Sequence, residues 1–262
     1  MNRTAVITGA SSGIGLELAG LMAFDRIDLV LASRNREKLE TIRDNLTKKY
    51  GIKVKIIQID LSDEASPEKL FDEVKKSGLQ IDYLINNAGF GDYGFFIDSD
   101  PDKLSRMIDL NIKTLTRLTR LFAPLMVLQG RGAIMNVAST AAFQPGPLMA
   151  VYYATKAYVL SFSQALAKEL EGSGVTVTAL CPGATDTGFK SAANLEGSKL
   201  FAGKRIASAL DVARYGYKAM LKGKRIAVHG IINSLLVFSV RLMPSSLVTD
   251  FVMKIQGRRK AK

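Results

Sequence analysis

The sequence is poor in reactive side chains: one cysteine and one histidine in 262 residues. Cys181 alone cannot close an internal disulfide, which suits a reduced, cytoplasmic setting, and beside Pro182 it reads as a small buried filler. With His229 the sole imidazole, zinc sites of the usual ligand type are excluded. A Ser-His-Asp triad would have to rest on that one residue, which lies in an apolar run without a serine elbow motif. No apolar leader is visible. The opening MNRTAVITGASSG turns at once into a strand and a glycine loop, so no signal peptide is expected. Repeats, low-complexity tracts and linkers are also missing, and the length suits one α/β domain over residues 1–262 better than two.

Acidic charge is scarce in one place only. Residues 1–189 hold 21 basic and 21 acidic side chains, whereas residues 190–262 hold 15 and 3, so the whole +12 excess lies in the last quarter of the chain. That quarter also carries IAVHGIINSLLVFSV (226–240), which has no Lys, Arg, Asp or Glu but is too short and too interrupted by Gly230 and Pro244 to span a bilayer. Residues 231–262 are therefore expected to form a basic, apolar helical extension. It could be a solvated surface around a last pair of helices, lie on an anionic membrane, dock a second subunit, or attract an acidic carrier protein or acyl-CoA. No nucleic-acid motif accompanies the charge, so nucleic acid is not expected as a partner.

What the chain does have is a repeated β-then-α rhythm. TAVITG, IDLVLAS, VKIIQIDL, IDYLINNAG, GAIMNVAS, VTVTALCPG and RIAVHG read as strands, most of them nearly continuous in apolar residues. Amphipathic helical patterns separate them, including a long one from about Pro101 to Gln129 and one with Ser66 as N-cap and Pro67 at its first position. Continuous apolar strands alternating with amphipathic helices imply a parallel sheet of about seven strands, covered on both faces and wound right-handedly.

The first strand runs into TGASSGIG (8–15) at the start of the first helix. Gly9, Gly13 and Gly15 permit a tight turn and close approach of a ligand, and the helix N-terminus beyond Ser11, Ser12 and Ile14 offers free N–H groups to a phosphate. The spacing is G-x-x-x-G-x-G rather than G-x-G-x-x-G, but its place between strand one and helix one is that of a dinucleotide site. An NAD site would carry a carboxylate at the end of the second strand. Here Ser33 stands at that point and Arg34 follows. A guanidinium binds a 2′-phosphate that a carboxylate would repel, so NADP(H) is the expected cofactor.

In VYYATKAYVL (151–160), Lys156 lies one helical turn beyond both Tyr152 and Tyr153. An ammonium beside a phenol favours phenolate and brings it toward the range where proton transfer is efficient. Helical geometry alone does not choose between the tyrosines.

Taken in order, TGASSGIG, NNAG (86–89), Asn111, Ser139, YYATK and Pro182-Gly183 with Thr187 resemble the short-chain dehydrogenase/reductases over residues 4 to about 190. The resemblance implies a Rossmann-type fold, and Y-x-x-x-K selects Tyr152 as the proton donor or acceptor. It implies that Lys156 lowers the Tyr152 pKa and holds the nicotinamide ribose, that Ser139 binds the substrate oxygen, and that Asn111 helps hold a water near Lys156. Asn87, Ala88 and Gly89 would lie under the cofactor, Asp60 and Leu61 beside its adenine, and Pro182, Gly183 and Thr187 beside its nicotinamide. A dimer or tetramer paired through the helices of Asn111 and Tyr152 is expected by the same analogy.

The segments between these motifs supply Phe90, Phe95, Phe143, Leu148, Met149, Phe189, Leu195 and Phe201, and their glycines could hinge a lid. They suggest an apolar ketone, such as a 3-oxoacyl thioester or a steroid-like carbonyl, reduced with NADPH. A cofactor-binding regulator with little turnover and a non-redox epimerase are the alternatives.

Overall fold

The computed structural model describes residues 3–189, 193, 195 and 206–257. Its strands and helices are β1 (Thr4–Thr8), α1 (Gly13–Phe24), β2 (Asp28–Ser33), α2 (Arg36–Tyr50), β3 (Val54–Gln58), α3 (Ser66–Lys75), β4 (Tyr83–Asn86), α4 (Pro101–Ile108), α5 (Leu115–Leu128), β5 (Gly132–Val137), α6 (Ala150–Glu169), β6 (Val175–Cys181), β7 (Thr185–Asp186), β8 (Ala207–Ser208), α7 (Ala209–Leu221), β9 (Ile226–Val228), α8 (Ile231–Val240) and α9 (Ser245–Gln256). Seven strands form one parallel sheet in the order β3-β2-β1-β4-β5-β6-β9, and β7 pairs with β8 in a separate two-stranded sheet. The fold is the Rossmann-type sheet that the sequence rhythm implies, followed by two further helices.

The sheet is covered on both faces, which explains the lack of polar alternation in its strands. One side of each pleat, with Ile7, Leu29, Leu31, Ile85 and Met135, packs with Leu18 and Met22 of α1 and Val212 and Met220 of α7. The other side, with Val6, Val30, Leu84, Ile134 and Val177, packs with Leu70 of α3 and Leu118, Phe122 and Met126 of α5. Deleting one such buried side chain to alanine would cost about 2–5 kcal/mol.

Local signals set the element ends. Asn35 caps α2 by accepting from the Lys38 amide at 2.9 Å, and Gly51, at φ 65°, ends it. Asp100 caps α4 just before Pro101. Ser66 departs from expectation. It is the first helical residue of α3, Ala65 occupies the cap, and the Ser66 hydroxyl donates to the Asp60 carbonyl at 2.6 Å. An acceptor across the loop has taken the hydroxyl that the capping pattern assigns to the helix. The expected long helix is present but not uniform: residues 109–114 between α4 and α5 form a π-turn. A π-turn within an α-helix often marks a functional position, and Asn111 lies in this one.

Candidate active site

Because the seven main strands are parallel, their carboxyl ends lie along one edge. The order reverses between β1 and β4, and the turns after these two strands flank the crevice where a doubly wound sheet binds its ligand. Thr8, at the end of β1, ties the two turns together. Its Oγ1 accepts from the amides of Asn87 and Ala88, both at 3.0 Å. Asn87 Nδ2 in turn donates to the carbonyls of Thr8 and Gly9. Gly9 adopts φ 64°, and a Cβ there would lie 2.9 Å from Asn87 Nδ2; one at Gly15 would lie 2.5 Å from the same atom. Asn87 is thus a brace for the glycine loop, and the glycines are required by its close approach.

A cleft of about 2360 Å³ opens on this edge. That is well beyond what a small ligand alone occupies. Every residue that the sequence singles out for cofactor or chemistry lines it, except Gly15 and Asn111, which sit behind the wall. Ser12 precedes α1 in extended conformation without spending its side chain on a cap, and the first turn of α1 contains no carboxylate. The N-terminus is therefore open to an anion.

At the far end, Ser33 Oγ is buried without a hydrogen-bond partner among the described residues. Beside it Arg34 is 75% exposed, 4.0 Å from Asp60. Arg106 of α4 reaches the same carboxylate at 3.1 Å and Ser62 Oγ at 3.3 Å. Partial burial works to raise the Asp60 pKa, but two Ser62 hydrogen bonds and the Arg34 and Arg106 charges outweigh it and hold the carboxyl below its usual range. Two guanidinium groups gathered at one carboxylate, close to an unpartnered hydroxyl at the end of β2, fit the phosphorylated ribose of NADP(H). Sequence reasoning missed Arg106 and Ser62. No spacing rule links α4 to the end of β3, and only the fold brings them together.

At the centre, α6 carries Tyr152 and Lys156 past the ends of β5 and β6. Ser139 Oγ accepts from the Ala141 amide at 3.1 Å and approaches the Pro182 carbonyl at 3.4 Å. Lys156 is buried. Its Nζ donates to the Val137 carbonyl at 2.8 Å and lies 5.7 Å from the Tyr152 ring centre. Burial pushes the Tyr152 phenol well above its ordinary pKa, opposed by the Ser139 hydroxyl, and lowers that of Lys156 to about 8. The acidification of Tyr152 by Lys156 that the resemblance implies stays a proposal, and burial acts against it. Desolvation dominates both groups, the ammonium is directed onto a backbone carbonyl, and the phenol is protonated at neutral pH.

Asn111 ties its own turn to α6. Its Oδ1 accepts from the Phe90 amide at 3.1 Å, and its Nδ2 donates to the Phe90 carbonyl at 2.9 Å and to Thr155 Oγ1 at 3.1 Å. Thr155 Oγ1 donates to the Tyr152 carbonyl at 2.7 Å. Both ends of the amide are engaged, so the side chain fixes the Phe90 turn against α6. Tyr153 turns inward, where its hydroxyl accepts from Gln256 Nε2 of α9 and burial raises its pKa to about 12. Cys181 is buried and pushed up to about 12, the inert filler expected. The His229 ring meets Tyr215 edge-on at 5.4 Å.

Another part of the cleft is apolar. Phe90, Met149, Phe189 and Leu195 line it together with Val240 and Val252 of the last two helices and Met243 between them. Phe143 and Leu148 are not in its wall. Phe143 instead lies under the Arg241 guanidinium, and Phe95 is half exposed outside. Phe201 and most of the expected lid fall outside the described residues. The last helices are held in place by Tyr93 Oη, which donates to the Gln256 carbonyl at 2.6 Å, and by Val248 and Val252, packed with Tyr153 and Met149. Among the described residues no group of His, Cys, Asp and Glu could hold a metal.

The short chain dehydrogenase family profile matches residues 3–197. The chain is 36% identical over 185 residues to a very-long-chain 3-oxoacyl-CoA reductase of Anas platyrhynchos, covering 68% of this chain and only 58% of the duck protein. A short-chain dehydrogenase of Sphingobium yanoikuyae solved in complex with NADPH superposes with a TM-score of 0.82 at 30% identity, over 99% of both chains. The bulky-bulky ketone specific alcohol dehydrogenase of Comamonas testosteroni superposes at 0.78 and 26% identity, over 99% of this chain and 97% of that one. From strand order to the Ser139, Tyr152 and Lys156 cluster, the chain belongs to the short-chain dehydrogenase/reductase family of oxidoreductases.

Proposed function

We propose that the protein is an NADP(H)-linked oxidoreductase that reduces the ketone of a bulky apolar substrate, of the 3-oxoacyl thioester or steroid-like class, to a secondary alcohol. The observation that carries this reading is the meeting of two unlike half-clefts at one phenol. On one side lie the glycine loop, Ser33, Arg34 and Arg106; on the other lie Met149, Phe189, Leu195 and Val240. The S. yanoikuyae dehydrogenase bound to NADPH and the C. testosteroni enzyme specific for bulky ketones support the two halves.

The reduced nicotinamide, when bound, supplies the hydride. Tyr152 holds the proton that the carbonyl oxygen takes up. Its raised pKa keeps that proton in place at neutral pH, and a donor already desolvated needs little reorganisation. Ser139 offers a hydrogen bond to the same oxygen as it gains charge. Lys156, anchored on Val137, holds positive charge beneath the phenol as it loses its proton. In the reverse direction each group exchanges its proton the other way.

The test is substrate-dependent loss of NADPH absorbance with 3-oxoacyl-CoAs of increasing chain length, oxosteroids, diaryl ketones and a small water-soluble ketoester. Turnover should favour the large apolar ketones, with NADPH preferred over NADH. Cofactor binding without turnover on any of them would favour a regulator, and product formed without cofactor consumption would favour an epimerase.

A further inference from the structure

We propose that the outward faces of α8 and α9 form a docking surface for an anionic lipid bilayer, and that the protein works while lying on one. This rests on the C-terminal surface alone, whatever ketone is reduced.

A helix on the surface of a globular protein buries an apolar stripe and turns polar residues outward. Helix α8 buries its stripe, with Val237 inward and Asn233 and Val240 half-buried beside it. Its outward side is not polar. Ile231, Leu235 and Phe238 follow one another at spacings of four and three residues, Leu242 comes four further on in the turn after the helix, and the four are 81%, 64%, 62% and 74% exposed. Residues 231–240 contain no charged side chain. Helix α9 adds Leu247 and Phe251, one turn apart and both more than half exposed. Single exposed leucines are ordinary; so many large apolar side chains left exposed on two consecutive helices mark a surface suited to an apolar partner.

Charge selects the partner. Arg241 follows α8, Lys254 lies in the last turn of α9, and the sequence then continues into Arg258, Arg259, Lys260 and Lys262, with Asp250 the lone acid from residue 231 onward. A second copy meeting this surface about a two-fold axis would bring the same basic rim against itself. An anionic bilayer presents hydrocarbon to the stripe and phosphate to the rim. The helices cannot cross it. None of those described is long and apolar enough, and ten residues of α-helix reach about half of the ~30 Å hydrocarbon layer. They would lie in the interfacial plane. Leu236 and Phe251 of the same helices, and Met243 between them, also line the cleft, so its apolar half would open toward the lipid.

The experiment is co-sedimentation of the full chain with vesicles of phosphatidylcholine alone and of phosphatidylcholine mixed with an equal amount of phosphatidylglycerol. Binding is expected to be at least about tenfold tighter to the anionic vesicles and to weaken with salt. Leu235→Glu combined with Phe238→Glu, neither in the cleft, should release the protein. Because that variant could fail to fold, a second reads position directly. The sequence has no tryptophan, so Phe238→Trp is a unique probe whose emission should shift to the blue on the anionic vesicles and be quenched by brominated acyl chains. A full chain that ignores both vesicle types, or an indole that brominated lipid does not quench, would overturn the proposal. So would a dimer in sedimentation equilibrium that Leu235→Glu dissociates, which assigns the surface to a second copy.

Discussion

Tyr152 and Tyr153 stand side by side on α6, yet their hydroxyls meet different surroundings: Ser139 and the cleft for the first, Gln256 in the packed interior for the second. Tyr152→Phe should remove turnover while leaving NADPH affinity nearly unchanged, since it deletes a proton and little binding surface. Tyr153→Phe should leave kcat close to that of the parent and lower stability by about 1–3 kcal/mol, because Gln256 Nε2 loses a buried partner. Steady-state kinetics, cofactor titration and urea melts separate these; the opposite ranking in kcat would reverse the assignment. Lys156 carries a second residue-scale prediction. Its pKa of about 8 in the folded protein lies below its ordinary value of 10.5. Between these values the unfolded chain binds more protons, so this group makes stability rise with pH from about 8 to 10.5, and its penalty is complete below 8. Lys156→Met should therefore abolish turnover yet stabilise the fold at pH 7, on the order of 1–3 kcal/mol after loss of the Val137 hydrogen bond. It should also flatten the rise in stability above pH 8. A pH series of melts on both proteins shows whether the slope disappears. Tyr152 and Lys156 are proposed from the resemblance to the family's Y-x-x-x-K pattern. Their pKa directions cannot be read from it, because desolvation depends on how completely β5, β6 and α6 close around them.

At the scale of elements, the sequence pattern placed the seven main strands well, since nearly continuous apolar runs alternate with amphipathic helices along the chain. Two details escaped it. The Pro101–Gln129 pattern has no break at Asn111, because a π-turn displaces the ladder by one residue without changing the apolar stripe much. Ser66 met the N-cap rule but found a better acceptor in the Asp60 carbonyl. The π-turn matters because it brings Asn111 into three hydrogen bonds that lock the Phe90 turn to α6. Asn111→Ala would strand the Phe90 amide and carbonyl and remove one hydrogen bond to Thr155 Oγ1, at about 2–4 kcal/mol in all. It should lower kcat by loosening α6 beneath Tyr152, with a smaller change in NADPH affinity. Asn111→Asp keeps the acceptor but loses both donors, and should recover only part of the stability. Urea melts with kinetics on both variants measure this; a kcat unchanged by Asn111→Ala would remove its positioning role.

Across the whole molecule, one dinucleotide would touch the ends of β1, β2, β4, β5 and β6 and the start of α1, whose residues share one wall of the cleft. A ligand that spans so many elements must stabilise the domain as a unit, because it binds the folded chain and has nothing to hold in the unfolded one. At a hundred times its Kd the gain is about 2.7 kcal/mol. On the proposed reading Arg34 and Arg106 would meet the 2′-phosphate, so the expected result is a thermal shift with NADPH well above that with equal NADH. Arg34→Ala should weaken NADPH by about 1–3 kcal/mol and hardly change NADH. Arg34→Ala combined with Arg106→Ala should bring the two shifts together. The pair also tests how far a sequence motif reaches, since Arg34 stands where the second strand ends and Arg106 arrives only by folding. If Arg106→Ala alone leaves the NADPH shift unchanged, its guanidinium serves Asp60 and Ser62 only, and the discrimination rests on Arg34. A double variant that still prefers NADPH would move the selection away from the end of β2 altogether.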